Sequence, residues 1–126
     1  RRVIEFPHFM ASGQVLLAFQ DETFREGYLS TVDYGDTGLN MPTNRDELAA
    51  VLTKTREYGM AETENMRGCG IAAVAAPVLD ATGRIVMAMA CSAPLTRADA
   101  SRRKDMRKRV VETALRMTCK LGGREP

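Results

Sequence analysis

The chain has 126 residues, enough for one domain that buries roughly two thirds of the surface its unfolded form exposes. With 44% hydrophobic and 27% charged residues it has the mixture of an ordinary globular protein, and no apolar stretch reaches the ~18 uninterrupted residues of a membrane-spanning helix. A formal charge of +2 is too small to mark a nucleic-acid binder.

The N-terminal RRVIEFPHFMASG is interrupted by Glu5, Pro7 and His8, which argues against a signal peptide and for a cytoplasmic address. SGQVLLAF places Val15, Leu16 and Phe19 at helical spacing behind a Ser12 cap, predicting a short buried helix from Ser12. Asp21 caps a second, with Phe24, Tyr28 and Leu29 as its apolar positions, ending near Ser30. TVDYGDTGLNMPT carries turn residues throughout and reads as a loop. TNRDELAAVLTKTREYG is the clearest helix: Thr43 or Asn44 as cap, Asp46 and Glu47 in the first turn, Leu48, Val51, Leu52 and Tyr58 on one stripe, and Gly59 as the stop. MAETE after it is a candidate strand, with Glu62 and Glu64 on one face.

IAAVAAPVLDATGRIVMAMACSAP is the densest apolar run, and its turn cluster from Asp80 to Gly83 divides it into a hairpin of 71–79 with 84–92. Ile85, Met87, Met89 and Cys91 then share one face of the second strand, and Val86, Ala88, Ala90 and Ser92 the other. Thr96 with Asp99 resembles a capping pair for a last helix reaching Leu121, with Met106, Val110, Ala114, Met117 and Leu121 as its buried stripe. The order predicts an α+β fold, an antiparallel β-sheet with helices packed on it, and only three or four strands are visible.

The alanines of the hairpin have two readings. They let a helix approach the sheet closely, or they keep the volume above one face open to a ligand, with Ser92 as its polar fixture. Composition alone leaves both open.

In this hairpin Gly70, Ala75-Ala76-Pro77-Val78, the Asp80 to Gly83 turn and Ser92 with Pro94 resemble the corresponding segment of the IclR family of bacterial transcriptional regulators. His8 and Gly13 with LLAF, the RDELAAVLTKTREYGMAETE segment and the closing Leu-Gly-Gly match further family motifs in order, so the resemblance covers essentially the whole chain. It implies a GAF-like effector-binding domain, probing a small molecule and controlling a separate N-terminal helix-turn-helix. That helix-turn-helix and the family's first strands are absent from this sequence, so 1–126 reads as a partial effector-binding domain that reaches DNA only through the missing part. Family members pair and stack, which implies a homodimer or tetramer.

Carried over from the family, the ligand contacts are Met10, Ala11, Ser12 and Gly13 at the helix start, Thr63 on the acidic strand, Ala73 two before Ala-Ala-Pro, and Ala90 and Ser92 on the second hairpin strand. Many relatives have aspartate, cysteine and serine where this chain has Thr63, Ala73 and Ala90. The replacements point away from a tiny polar effector and toward a larger organic acid, with aromatic acids included. The helix start offers the N–H groups of Ser12, Gly13 and Gln14 to a carboxylate, and Arg67 in ENMRGCG is a second anion contact.

Other chemistry is thinner. Cys69, Cys91 and Cys119, with one histidine and no C-x-x-C pair, form neither a metal set nor a disulfide framework and read as free thiols, so no cofactor is expected. A cysteine enzyme using Cys69 is the rival, though only Arg67 stands near it in sequence, and a ligand-free interaction module is a third reading. SRRKDMRKR looks like a nucleic-acid patch, but Asp105 and Glu112 interleave with it and Met106 and Val110 turn inward, as on a solvated helix face.

Overall fold

The computed structural model describes residues 10–32, 34 and 40–123, with Arg67 by its backbone alone; the expectations for His8 and for most of the loop before Asn40 lie outside these residues. Within them the chain forms α1 (Ala11–Ala18), α2 (Glu22–Thr31), α3 (Arg45–Tyr58), β1 (Ala61–Glu64), β2 (Ile71–Leu79), β3 (Ile85–Pro94) and α4 (Ala100–Lys120), with short 3-10 turns at Met66–Gly68 and Leu95–Arg97. The three strands make one antiparallel sheet in the order β1-β2-β3, so the α+β expectation holds.

The helix ends follow local chemistry. Asp21 accepts from the Phe24 N–H and Asn44 from the Glu47 N–H, as the sequence implies, and Gly59 ends α3 at φ 71°, a left-handed conformation that suits glycine. Two starts differ from expectation. Met10, not Ser12, is the N-cap of α1, and no side chain caps it. Asp99 rather than Thr96 caps α4, accepting from the Arg102 N–H, because Thr96 is used in the preceding 3-10 turn.

Strand β2 is the centre. One face of it, Ala72, Val74, Ala76 and Val78, packs with Ala93, Ala98, Met106, Val110 and Ala114 under α4. The other face meets α1, where Ala11 and Val15 sit on Ala61 and Ala75, with Ala73, Ile85 and Ala88 around them. Leu16 is only half-buried; the buried positions of α1 include Val15, Leu17 and Ala18, and Leu17 and Ala18 continue into a cluster with Leu29, Leu48 and Leu52 that carries α2 and α3. Tyr58, expected on the buried stripe of α3, is 66% exposed, since α3 rests on α1 rather than on the sheet.

A bulge explains one further departure, and the end of β1 a second. The hairpin pairs Val78 with Met87 but Leu79 with Ile85, so β3 holds one extra residue there. Ile85 is thereby moved from the face of Met87 and Met89 to the α1 side, where it packs near Ala88. Because β1 ends opposite Ala75, the Leu79 N–H is left to Thr118 Oγ1, to which it donates at 3.0 Å. That hydroxyl takes the buried place on α4 that periodicity gives to Met117 and Leu121; Met117 is half-buried and Leu121 47% exposed.

Thr118→Val removes the acceptor while keeping the shape, leaving a buried N–H unpaired at a cost of about 1–3 kcal/mol. Urea unfolding is expected to show that loss, and Thr118→Ser, which restores the oxygen, is expected to recover most of it.

Candidate functional site

Antiparallel pairing lays the predicted contacts out in rows. Thr63 stands opposite Ala73 and Ala73 opposite Ser92, while Ala61, Ala75 and Ala90 form the neighbouring row. Paired residues share a face, so both rows lie on the α1 side. Ala11 covers Ala61 and Ala75. Thr63 is buried, Ala73 half-buried, and Ala90 and Ser92 exposed. Met10 is exposed at the head of α1, Ser12 half-buried, and Ala11 and Gly13 buried. The Arg67 side chain lies outside the described residues.

The pattern divides the alanines between the two readings. Ala72, Ala75 and Ala76 are packed, which is the close-approach role, whereas Ala90 at the end of its row faces open space. At the head of α1 the first intrahelical bond runs from the Gln14 N–H to the Met10 carbonyl. The N–H groups of Ala11, Ser12 and Gly13 therefore precede the ladder, one position earlier than expected, and with the helix dipole they favour an anion there.

Beyond the β1 edge of these rows lies a cleft of about 810 Å³ between α3 and β1. Of the predicted contacts only Thr63 lines it; Met10, Ala73, Ala90 and Ser92 do not. Apart from Gln14, whose N–H the sequence offered to a carboxylate, its other walls are residues to which the sequence gave no ligand role. Val51, Lys54, Thr55 and Tyr58 come from α3, Gln14 from α1, and Met41, Met60 and Met66 from the flanking segments. The helical spacing of Val51, Lys54 and Tyr58 was a usable signal, but it reads equally as a core stripe.

On the opposite face of β1 the two acidic residues meet the basic run of α4. Glu64 bonds Arg103 at 2.6 Å, and both Glu62 oxygens lie near Arg107 Nη1, at 3.0 and 3.2 Å. Carboxylates two apart on a strand thus match guanidiniums four apart on a helix. Arg103 also donates from Nε to the Ala98 carbonyl, which ties the clasp to the start of α4. Two of the six basic residues of the apparent nucleic-acid patch are consumed in this way, and a third, Arg109, pairs with Asp105 within the helix.

Hydrogen bonding and charge from Arg103 hold the Glu64 carboxyl below the ordinary glutamate range. A depressed carboxyl stabilises the fold above its unfolded pKa, and the contribution is lost as pH falls through its folded value. Cys69, Cys91 and Cys119 are all free and exposed. Among the described residues no group of three histidine, cysteine, aspartate or glutamate side chains is placed to hold a metal ion, and no helix is long and apolar enough to cross a membrane.

Two measurements check this geometry. Ala75→Leu is expected to lower stability by about 1–3 kcal/mol by overpacking α1 against the sheet, while Ala90→Leu stays within about 0.5 kcal/mol, both read from denaturant melts. In Arg103→Ala, NMR titration of Glu64 is expected to show its midpoint moving upward, and the part of the stability that the parent chain loses at acid pH through Glu64 is expected to be missing already at neutral pH.

The family model described as bacterial transcriptional regulator IclR C-terminal matches residues 6–119. A curated relative, the HTH-type transcriptional regulator KdgR of Dickeya chrysanthemi, is 30% identical over 90 residues, covering 71% of this chain and 30% of its own length. The chain therefore spans about a third of that relative. The crystal structure of the C-terminal domain of E. coli KdgR superposes with a TM-score of 0.81 at 26% identity, covering 92% of this chain and 71% of that one. The inducer-binding domain of PobR from Acinetobacter, a double mutant in complex with 3-hydroxybenzoic acid, shares the fold with a TM-score of 0.79 at 20% identity, covering 94% of this chain and 73% of that one.

Proposed function

The chain belongs to the IclR family of bacterial transcriptional regulators, matching its C-terminal domain, and from that premise we propose that it is the small-molecule-sensing part of such a regulator. One observation carries the reading: Thr63, Ala73 and Ser92, three positions at which the family contacts its ligand, fall into one register row on the α1 side. The exposed end of that row and the N–H groups that precede the helical ladder at the head of α1 suit an organic acid whose carboxylate meets the helix and whose body lies on small side chains. The family's regulators act in transcription rather than as enzymes, and the exposed Cys69 has no neighbouring base among the described residues to activate it.

Binding favours one arrangement of α1 over the sheet, and that population shift reorients DNA-reading helix-turn-helix domains carried elsewhere in a longer, cytoplasmic protein. Pairing of sensing domains as a homodimer or tetramer makes the reorientation count at two half-sites. PobR, in the complex named above, holds 3-hydroxybenzoic acid, which makes aromatic acids a reasonable first class to test here.

A thermal-shift screen of aliphatic and aromatic acids, 3-hydroxybenzoate among them, tests the reading. A ligand at about one hundred times its Kd adds roughly 2.7 kcal/mol of stability, which raises the melting temperature visibly. Absence of any stabilising acid across the panel would count against sensing and for an interaction module.

A further inference from the structure

Helix α3 packs on α1 and α2, and a cleft lies between it and β1, the strand that follows its Gly59 stop. Its stripe Val51, Lys54 and Tyr58 looks down into the cleft, β1 forms the floor, and at the far end the Asn40 side chain donates to the Glu64 carbonyl at 2.7 Å. The volume of this cleft, about 810 Å³, falls within the range that holds drug-sized ligands.

Three features of the lining specify what it takes. Thr63 is only 8% exposed, lines the cleft, and its hydroxyl has no hydrogen-bond partner among the described residues, although buried hydroxyls almost always have one. The carboxylates of the lining are engaged: Glu62 and Glu64 by Arg107 and Arg103, and Glu47 by the N–H and hydroxyl of Thr43. The Lys54 ammonium, by contrast, stands 6.0 Å above the Tyr58 ring and has no carboxylate partner among the described residues. Around these, Met41, Val51, Met60 and Met66 supply apolar walls, and methionine adapts to irregular shapes.

We propose that the cleft between α3 and β1 binds a monocarboxylic acid with an apolar body, the Lys54 ammonium meeting the carboxylate and the Thr63 hydroxyl a polar atom of the body. The inference rests on the sensing reading and changes where that reading seats the ligand: the carboxylate meets Lys54 instead of the head of α1, and the body lies under α3 instead of over Ala90 and Ser92. Lys54, Val51 and Met60 then determine specificity, and α3 becomes an element whose stance the ligand sets.

Isothermal titration of the full chain with 3-phenylpropanoate, and with its amide as the uncharged control, tests this. The acid is expected to bind about tenfold or more tightly than the amide. Lys54→Gln is expected to bring the acid down to the level of the amide without altering the amide. Val51→Trp, which fills the cleft, is expected to abolish binding of both, and Ala90→Phe to leave both unchanged. Loss of binding in Ala90→Phe with retention in Val51→Trp overturns the cleft assignment while leaving the sensing reading intact, and loss in both overturns a ligand confined to the cleft. No binding of the acid to the unmodified chain overturns the ligand class, whatever the wider acid screen finds. If Val51→Trp melts well below the parent chain, Lys54→Gln decides alone, since Lys54 is exposed and its fold is not at risk.

Discussion

Strand β2 is covered on both faces, by α4 on one side and α1 on the other, and the other elements are placed by what that double burial permits. A strand enclosed in this way has no use for the polar alternation of a half-solvated one, which is why IAAVAAPVL reads as an unbroken apolar run. On the α1 side its residues must also be small, because α1 is a helix of only eight residues and sits directly on Ala61 and Ala75 through Ala11 and Val15. Seated so low, α1 leaves α3 to rest on its back. The cleft between α3 and β1 follows from the size of the alanine side chain.

Strand β1 joins these levels. Thr63 turns toward α1 and the cleft, while its neighbours Glu62 and Glu64 turn the other way and hold Arg107 and Arg103 of α4. Exposed ion pairs of this kind contribute little stability singly. Their use here is geometric: two matched pairs fix the register of a long helix against a strand of four residues. The same strand thus touches both faces of the domain with consecutive side chains.

Much of this was legible in the sequence because it is set locally. The α3 cap and stop, the Asp80 turn and the hairpin all depend on residues within a few positions of one another, as does the alternation of Glu62, Thr63 and Glu64. What escaped was set by distant partners. Met10 rather than Ser12 begins α1, Tyr58 is exposed because α3 packs on α1 and α2, and Thr118 displaces Leu121 from the core because β1 ends opposite Ala75 and leaves the Leu79 N–H to its hydroxyl. The site shows the same division: the row of Thr63, Ala73 and Ser92 can be read from strand parity and family motifs, but the cleft exists only through the stacking of α3 on α1.

The two margins of the sheet are unlike. Asn65 bonds the Ile71 carbonyl in the rung that continues β1 with β2, so the backbone of Glu62 and Glu64 points away from the sheet, into a margin flanked by charge and closed at one end by Asn40. The corresponding rung between Leu95 and Gly70 leaves the backbone of Ala88, Ala90 and Ser92 facing outward along β3, where no charged side chain occurs from Ile85 to Pro94. Charged or covered margins resist further pairing and bare ones invite it. Among the described residues the sheet therefore has a direction of growth, with the β3 margin suited to pairing with a further strand and the β1 margin set against it.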